Sequence, residues 1–389
     1  MTPPIAILGA GPSGLVLARL LELANIDYLV FERDELINAG VAQGGSPDLH
    51  EGSGQLALQE AGLYEDFGAK ARYDVPTVFA DWTGKVHLSF ADEEDTTRPE
   101  IDRKDLRALL LASVPAHKIQ WNRKVKSVAK IDNGLMEVHF VDGTSSAGFR
   151  LVVGADGAWS KVRSLLTPVK PQYSGLHYLT TNISPRSPAF ESAKALARTG
   201  QYLAVGTGKM LALMLLGDGT YYLAAGIRLP DEDWQIKNTE IIRDPAALRE
   251  LLLCEHFAQW PQVHTDLIRY SDMDFRDWSL YYMPTESLSW TSMPGVTLIG
   301  DAAHVSTPFV GEGANCSMFD SVQLAKQISK HGLDHLESAV EEYEKDMFPR
   351  AIDLITRSEE SGAHLFAEDA PKGWLKTFVG MDIDAEASK

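Results

Sequence analysis

The sequence predicts an α/β protein in which a parallel sheet is interrupted by a mostly antiparallel one and completed by a long C-terminal helix. Three observations carry this expectation. An apolar run from Ile5 leads into Gly9, Gly11 and Gly14, spaced G-x-G-x-x-G, and an apolar helical pattern from Leu15 to Leu23 follows directly. Two further apolar runs end in Gly154-Ala-Asp-Gly157 and in Gly300-Asp301, like buried strands that stop at a glycine and a carboxylate. Between them, from Tyr173 to Met283, short apolar runs recur between turns, which is the texture of an antiparallel sheet.

Composition sets the bounds. A chain of 389 residues has room for two or three domains, and 44% hydrophobic residues supply a large core. A formal charge of −18, with no run of Lys and Arg, excludes nucleic acid or an anionic membrane surface as the main partner. Cys254 and Cys316 are too few for a disulfide framework or a Cys-based zinc site, and no metal is expected. The first strand begins within a few residues of Met1, leaving no room for a signal peptide, and no window approaches the ~18 apolar residues of a spanning helix. The expectation is a cytoplasmic enzyme, monomer or weak dimer, acting on a small molecule.

Each element has a local reason. Gly9 permits a tight turn, Gly11 lets backbone amides approach a pyrophosphate at the positive helix end, and Gly14 lets helix and strand pack closely. Tyr28 to Phe31 is the second strand and ends at Glu32, 18 residues past Gly14, where a carboxylate accepts hydrogen bonds from a ribose. A polar, Gly-rich stretch, Asn38 to Gly45, precedes Asp48-Leu-His-Glu-Gly52 and a helix from Gln55 to Ala61 capped by Gly62. Thr77 to Phe90 reads as a hairpin around Trp82-Thr-Gly-Lys85, and Asp92 to Arg98 as a loop. Ile101 to Arg107 opens a helix, apolar at Leu106, Leu109, Leu110 and Leu111, that Pro115 ends. Val125–Ile131 and Leu135–Val141 pair around Asp132-Asn-Gly134, a type I′ turn signal.

Leu151 to Gly157 is a buried strand and turn, and Ser160 to Leu166 looks helical. The antiparallel runs are His177–Ile183, Tyr202–Val205, Met210–Leu216 and Tyr221–Ile227, interrupted by one helix from Pro245 to Phe257. Val296 to His304 is again a strand ending in Gly-Asp. Asn315–His331 and Ala339–Phe366 are helices, the second kinked or divided by Pro349, and Asp382 to Lys389 is a frayed tail.

Taken in order, the Gly9-x-Gly11-x-x-Gly14 turn with Glu32-Arg33, Gly154-Ala-Asp-Gly157 and Leu298-Ile-Gly-Asp-Ala-Ala-His304 resemble the FAD-dependent aromatic-ring monooxygenases, the para-hydroxybenzoate hydroxylase-like family. The stretches Gly44 to Gln55, Ile101 to Arg107 and Pro308 to Asn315 look most like those of the tetracycline-inactivating flavin monooxygenases. The likeness covers nearly the whole chain and thins across Tyr173 to Met283. It implies a Rossmann-like FAD-binding domain in three parts, 1–76, 99–172 and 285–331, a substrate domain of hairpin 77–98 and sheet 173–284, and a C-terminal helical segment 332–389. It also implies FAD as cofactor and NAD(P)H and O₂ as co-substrates. An aromatic, polycyclic or polyketide-like small molecule would be hydroxylated through a flavin C4a-hydroperoxide.

By the same resemblance Asp48, Arg103, Arg107 and Asp301 contact FAD beside Glu32 and Arg33, and Asp156 serves the cofactor and the nicotinamide donor together. The chemistry agrees, since guanidinium forks suit phosphates and carboxylates suit ribityl and ribose hydroxyls. Gly311 and Gly313 open a helix, with Asn315 in its first turn, whose amides approach the flavin's pyrimidine edge, and Pro308 shapes the turn beside the ring. Simpler roles stand beside these. Asp156 also suits an N-cap, Arg107 a solvated helix face, His50 and His304 structural positions, and Trp82, Trp234, Trp260, Trp278 and Trp290 packing. No residue is assigned as catalytic.

The chain departs from the tetracycline-acting pattern at Val41, where those relatives carry an Arg that helps receive NADPH. Their substrate-binding Gln and Arg fall near Thr180 and Tyr202, which argues against tetracycline as the substrate. Thr180, Tyr202, Met214 and Pro308 are the substrate-side candidates. Two alternatives remain open at this level, a flavin-dependent dehydrogenase or reductase on the same fold and a non-catalytic flavin- or ligand-binding protein.

Overall fold

The computed structural model describes residues 2–35, 44–73, 75–90, 97–272 and 275–381. Val41 with most of its Gly-rich stretch, most of the 92–98 loop and the 382–389 tail lie outside the described residues.

Five parallel strands form the first sheet, in the order Val296–Leu298, Leu151–Gly154, Ile5–Leu8, Tyr28–Phe31, Ile119–Gln120. Their side chains are almost wholly apolar and buried, as a sheet covered on both faces requires. Register brings the sequence motifs together: Leu8 and Leu298 both pair with Gly154, so Gly9, Ala155 and Ile299 leave the sheet at one edge. Ligands bind at this carboxyl edge in open parallel sheets.

Gly9 turns there at φ +117°, and a Cβ on it would overlap the Ala155 carbonyl oxygen. A Cβ on Gly14 would overlap the Gly9 carbonyl oxygen in turn, so the Pro12–Leu23 helix rests directly on the turn. Gly14→Ala is therefore expected to lower stability by about 1–3 kcal/mol or more through overpacking against backbone that cannot yield. A urea unfolding midpoint checks this.

The Pro12–Leu23 helix packs on Gly313–His331, which packs on Leu336–Leu365. The last of these runs unbroken through Pro349 rather than dividing there. Met347 and Ala351, both fully buried, fix the chain on either side of the proline and offset its missing hydrogen bond.

The second sheet has seven strands in the order Arg276–Tyr282, Gln172–Ile183, Tyr221–Arg228, Lys209–Leu215, Gln201–Gly206, Thr77–Asp81, Val86–Ser89. All neighbours are antiparallel except Gln201–Gly206 and Thr77–Asp81. One face, with Leu179, Tyr202, Leu211, Leu213 and Leu223, packs under helices that include Phe190–Ala197, Pro245–Leu251 and Gln262–Arg269. The single helix expected here is thus several, because these short segments alternate between sheet and helix within a few residues.

Two strands carry no legible signal. Arg276–Tyr282 is an edge strand with polar Arg276, Asp277 and Ser279. Ser145–Phe149, in a small sheet with Val125–Lys130 and Met136–Phe140, is mostly small residues. The Asn133-Gly134 turn in that sheet has φ +68° and +77°, as type I′ chemistry demands. The expected helix from Ser160 to Leu166 is only a 3₁₀ turn, Arg163–Leu165. Asp156 and Ser160 side chains there take the amides of Lys161, Val162 and Arg163. Among the described residues no helix is long and apolar enough to cross a membrane.

Candidate active site

A trough runs along the carboxyl edge of the parallel sheet. Its first part is a cleft of about 340 Å³ whose walls include Gly9, Gly11, Glu32, Arg33, Arg107 and Asp156. Glu32 is nearly fully buried, and its carboxylate accepts from the amides of Ala10 at 2.6 Å and Asp34 at 3.0 Å. The second strand thereby fixes the glycine turn. Arg107 is not a solvated helix residue: its Nη2 donates to Asp34 at 2.8 Å, and its guanidinium lies over Trp121. Arg33 is exposed on the cleft.

Asp156 has both expected roles available. Oδ2 accepts from the Lys161 amide at 2.7 Å, whereas Oδ1 is buried with no partner. Burial pushes its carboxyl up, against the pull of Ser160 and Arg163. Lys124 and Lys161 also line the cleft and were not singled out from sequence.

At Gly11, Ala155 and Gly157 the cleft opens into a cavity of about 550 Å³. Gly11 caps the Pro12–Leu23 helix, and a Cβ on it would meet nothing within 4 Å. Backbone amides at a helix N-terminus are therefore open to a ligand. Asp301 and Arg103 face this cavity and make no side-chain hydrogen bond or ion pair among the described residues. Asp301 is exposed to the cavity, and desolvation by the protein around it pushes its carboxyl up despite His304, Arg103 and Arg163. Pro308, Gly311 and Gly313 form the adjoining wall, at the start of the Gly313–His331 helix.

Asp48 also lines the cavity, with its carboxylate on His50 Nε2 at 2.9 Å. Asn315 stands one layer back. Its Nδ2 donates to the Asp48 carbonyl at 2.9 Å and its Oδ1 accepts from the His50 amide at 2.8 Å. Both ends of this amide are consumed, so Asn315 positions the Asp48 loop instead of facing the cavity.

Two buried networks hold these groups. Arg163 donates to the carbonyls of Ala302 at 2.8 Å and Asp301 at 2.9 Å, fixing the turn that carries Asp301. Beneath that turn, Asp320 accepts from the Gly300 amide at 2.9 Å, from Arg350 Nη1 at 3.0 Å and from His304 Nε2 at 2.5 Å. The Asp320 carboxylate raises the His304 imidazole against the opposing cost of burial. His304, Cys316 and Asp320 have metal-ligand atoms within 4.8 Å of one another. The Arg350 guanidinium already touches both Asp320 and Cys316, supplying the cation itself. Under the opposite wall, Ser46 and Arg72 converge on Asp102, and Arg72 also pairs with Glu100 at 3.2 Å. This second network is not visible in sequence because its members are spread over three segments.

The seven-stranded sheet roofs the cavity. Met214 and Pro308 line it. Met214 packs on the Gly45 turn, and its sulfur accepts from the Ser46 amide at 2.9 Å. Thr180 lies on the cavity side of the sheet but lines the adjoining cleft, beside Arg276 and Asn182. Tyr202 is a correction. It points to the other face of the sheet, is 1% exposed, and bonds His264 Nε2 at 2.8 Å inside the helix-covered core. Strand alternation decides this, since Gln201 and Leu203 on either side line the cavity. Tyr178, Gln201, Met210, Ala212, Tyr222 and Ala224 complete the roof.

The donor set fits FAD. An open glycine at a helix N-terminus suits a pyrophosphate, an unpartnered carboxylate and guanidinium suit ribityl hydroxyls and phosphate, and the cavity is large enough for a ring system. A family model described as an FAD binding domain matches residues 2–358. Monooxygenase penA of Penicillium thymicola is 31% identical, over 89% of this chain and 91% of its own. The structure of Klebsiella pneumoniae HpxO complexed with FAD and uric acid superposes with a TM-score of 0.79 at 21% identity, covering 99% of this chain and 95% of that one. The tetracycline destructase Tet(55) gives a TM-score of 0.72 at 17% identity, covering 94% of this chain and 91% of that one.

Proposed function

The chain belongs to the FAD-binding-domain family and is a flavin-dependent monooxygenase, and from that premise we propose that it uses NAD(P)H and O₂ to hydroxylate a small aromatic or polyketide-like molecule. The observation that carries this reading is the continuity of the trough. It begins at Glu32 and Gly11 and ends in a sheet-roofed cavity with mostly apolar walls. Bound FAD supplies a reducible ring that activates O₂ for transfer to an electron-rich carbon.

The chain's own residues bind, orient and exclude water. Glu32, Arg33, Arg107 and Asp156 address the adenosine half, and Arg103, Asp301 and Asp48 address the pyrophosphate and ribityl half. The Gly311–Gly313 turn would hold the ring end of the cofactor, where the amides of the helix N-terminus would favour negative charge. Leu203, Met210, Met214, Phe309 and Leu365 keep the reacting end dry.

Purified protein should be yellow, release FAD on denaturation, and consume O₂ and NADPH together when given a substrate. NADPH or substrate oxidation without stoichiometric O₂ uptake in an oxygen electrode would instead favour a dehydrogenase or reductase. Asp301→Ala should weaken FAD binding about 10- to 100-fold, the worth of a charge-assisted hydrogen bond. Unchanged occupancy would remove Asp301 from the contact set.

A further inference from the structure

The loop that leads into the Gly311–Gly313 turn is held from behind by the Leu336–Leu365 helix. Ser358 Oγ donates to the Thr307 carbonyl at 2.6 Å and Ser361 Oγ to the Phe309 carbonyl at 3.0 Å. A Cβ on Gly362 would overlap the Phe309 ring, so helix and loop are in direct contact. Arg357 takes Glu312 with two parallel bonds, Nη1 to Oε1 at 2.8 Å and Nη2 to Oε2 at 2.7 Å.

Glu312 is the N-cap of the Gly313–His331 helix and stands between two glycines that line the cavity. A carboxylate beside a helix N-terminus is drawn to the first-turn amides. Here no side chain caps the helix, and Glu312 lines a separate pocket behind the turn, with Arg350, Asp353 and Arg357. Its bonds to Arg357 hold its carboxyl below the usual range. The other charged groups around the turn are already engaged or lie on the cavity side. Arg350 serves Asp320 and Asp346, and Arg357 Nε serves Asp353 at 2.8 Å. His50 acts on Glu312 only through space and is bonded to Asp48. Asp48, Arg103 and Asp301 line the cavity itself. Loss of Arg357 therefore leaves Glu312 without its bound cation and free to reach the amides that an anionic ligand needs.

We infer that Arg357 is a positioning residue for the flavin: it keeps the Glu312 carboxylate off the helix N-terminus and offsets its charge, so that the amides of the turn are left to the ring and reduction is favoured. The inference rests on the reading that the turn holds the ring end of FAD.

Reduction of a flavin at neutral pH leaves negative charge on the ring, so charge behind the turn is read in the midpoint potential. It is measured on FAD-loaded protein by equilibration with a reference dye. Arg357→Leu should move the oxidised-to-reduced ratio about fivefold or more toward oxidised flavin, a potential about 20 mV lower at about 30 mV per tenfold for a two-electron couple. Glu312→Gln should move it the other way, and the double variant should return near wild type. Arg357→Lys, which keeps the charge and loses the bidentate geometry, should stay within about twofold of wild type. A clamp that only holds the loop would move Arg357→Leu and Glu312→Gln in the same direction. Shifts of one sign in those two variants, a Lys variant as low as the Leu variant, or a Glu312→Gln potential at or below that of wild type overturns the inference. The last outcome decides the matter even if Arg357→Leu fails to fold. Wild-type protein that never acquires a flavin spectrum refutes the monooxygenase reading instead, so the two failures are told apart.

Discussion

Asp320→Ala is expected to destabilise the protein by about 3–5 kcal/mol, the cost of stranding buried charge when one partner of a buried pair is removed. Asp320 is fully buried and serves three donors at once, the Gly300 amide, Arg350 and His304. Its loss leaves the His304 imidazole without its counter-ion and the Arg350 guanidinium with only Asp346, directly under the turn that carries Asp301. The pair also sets a pH window. His304 is raised well above its ordinary 6.5, so its contribution is present below that value and fades as pH rises through the folded one. Asp320 is lowered below 3.8, so its contribution is present above 3.8 and fades as pH falls through the folded value. The wild-type advantage over Asp320→Ala should therefore be greatest between about pH 4 and 6.5. Urea midpoints across that range measure it, and a variant within about 1 kcal/mol of wild type at pH 6 would rule out a load-carrying network.

Gly11→Val should separate binding from folding. Gly11 has φ −78° and ψ 178°, an extended conformation open to any residue, and its missing Cβ faces empty space. The apoprotein should melt at the wild-type temperature, while FAD affinity falls about 100-fold or more because a branched side chain keeps a pyrophosphate off the helix N-terminus. Gly14→Ala, three residues on, should do the reverse to the fold. A Gly11→Val protein that loses stability and keeps FAD would mean that the turn is purely structural.

The parallel half of the molecule was legible because its signals are local. The run from Ile5 to Gly14 contains a strand, a turn whose glycines each have a steric reason, and a helix start. Glu32 was placed by spacing, and its carboxylate lies on the Ala10 amide. The roof was not legible in the same way. In Met210 to Leu216 every residue is apolar, and both faces of the sheet are buried, so alternation carries no phase. The expectation at Tyr202 rests on a loose alignment with relatives, and without a phase nothing in the sequence shows that it faces away from Met214. Gln201 stands out to no sequence rule, because its partner Glu100 is 101 positions away in the chain. Asn315 was read as a ligand contact from its motif, whereas its hydrogen bonds spend it on the Asp48 loop.

The most direct test of the whole account is the fate of oxygen. FAD-loaded protein is given NADPH, ¹⁸O₂ and a panel of phenolic and polycyclic aromatic compounds, and product mass is read. The account predicts a product carrying one ¹⁸O atom, with NADPH and O₂ consumed in step. Unlabelled product, or NADPH oxidation that yields only hydrogen peroxide with every compound, would contradict it.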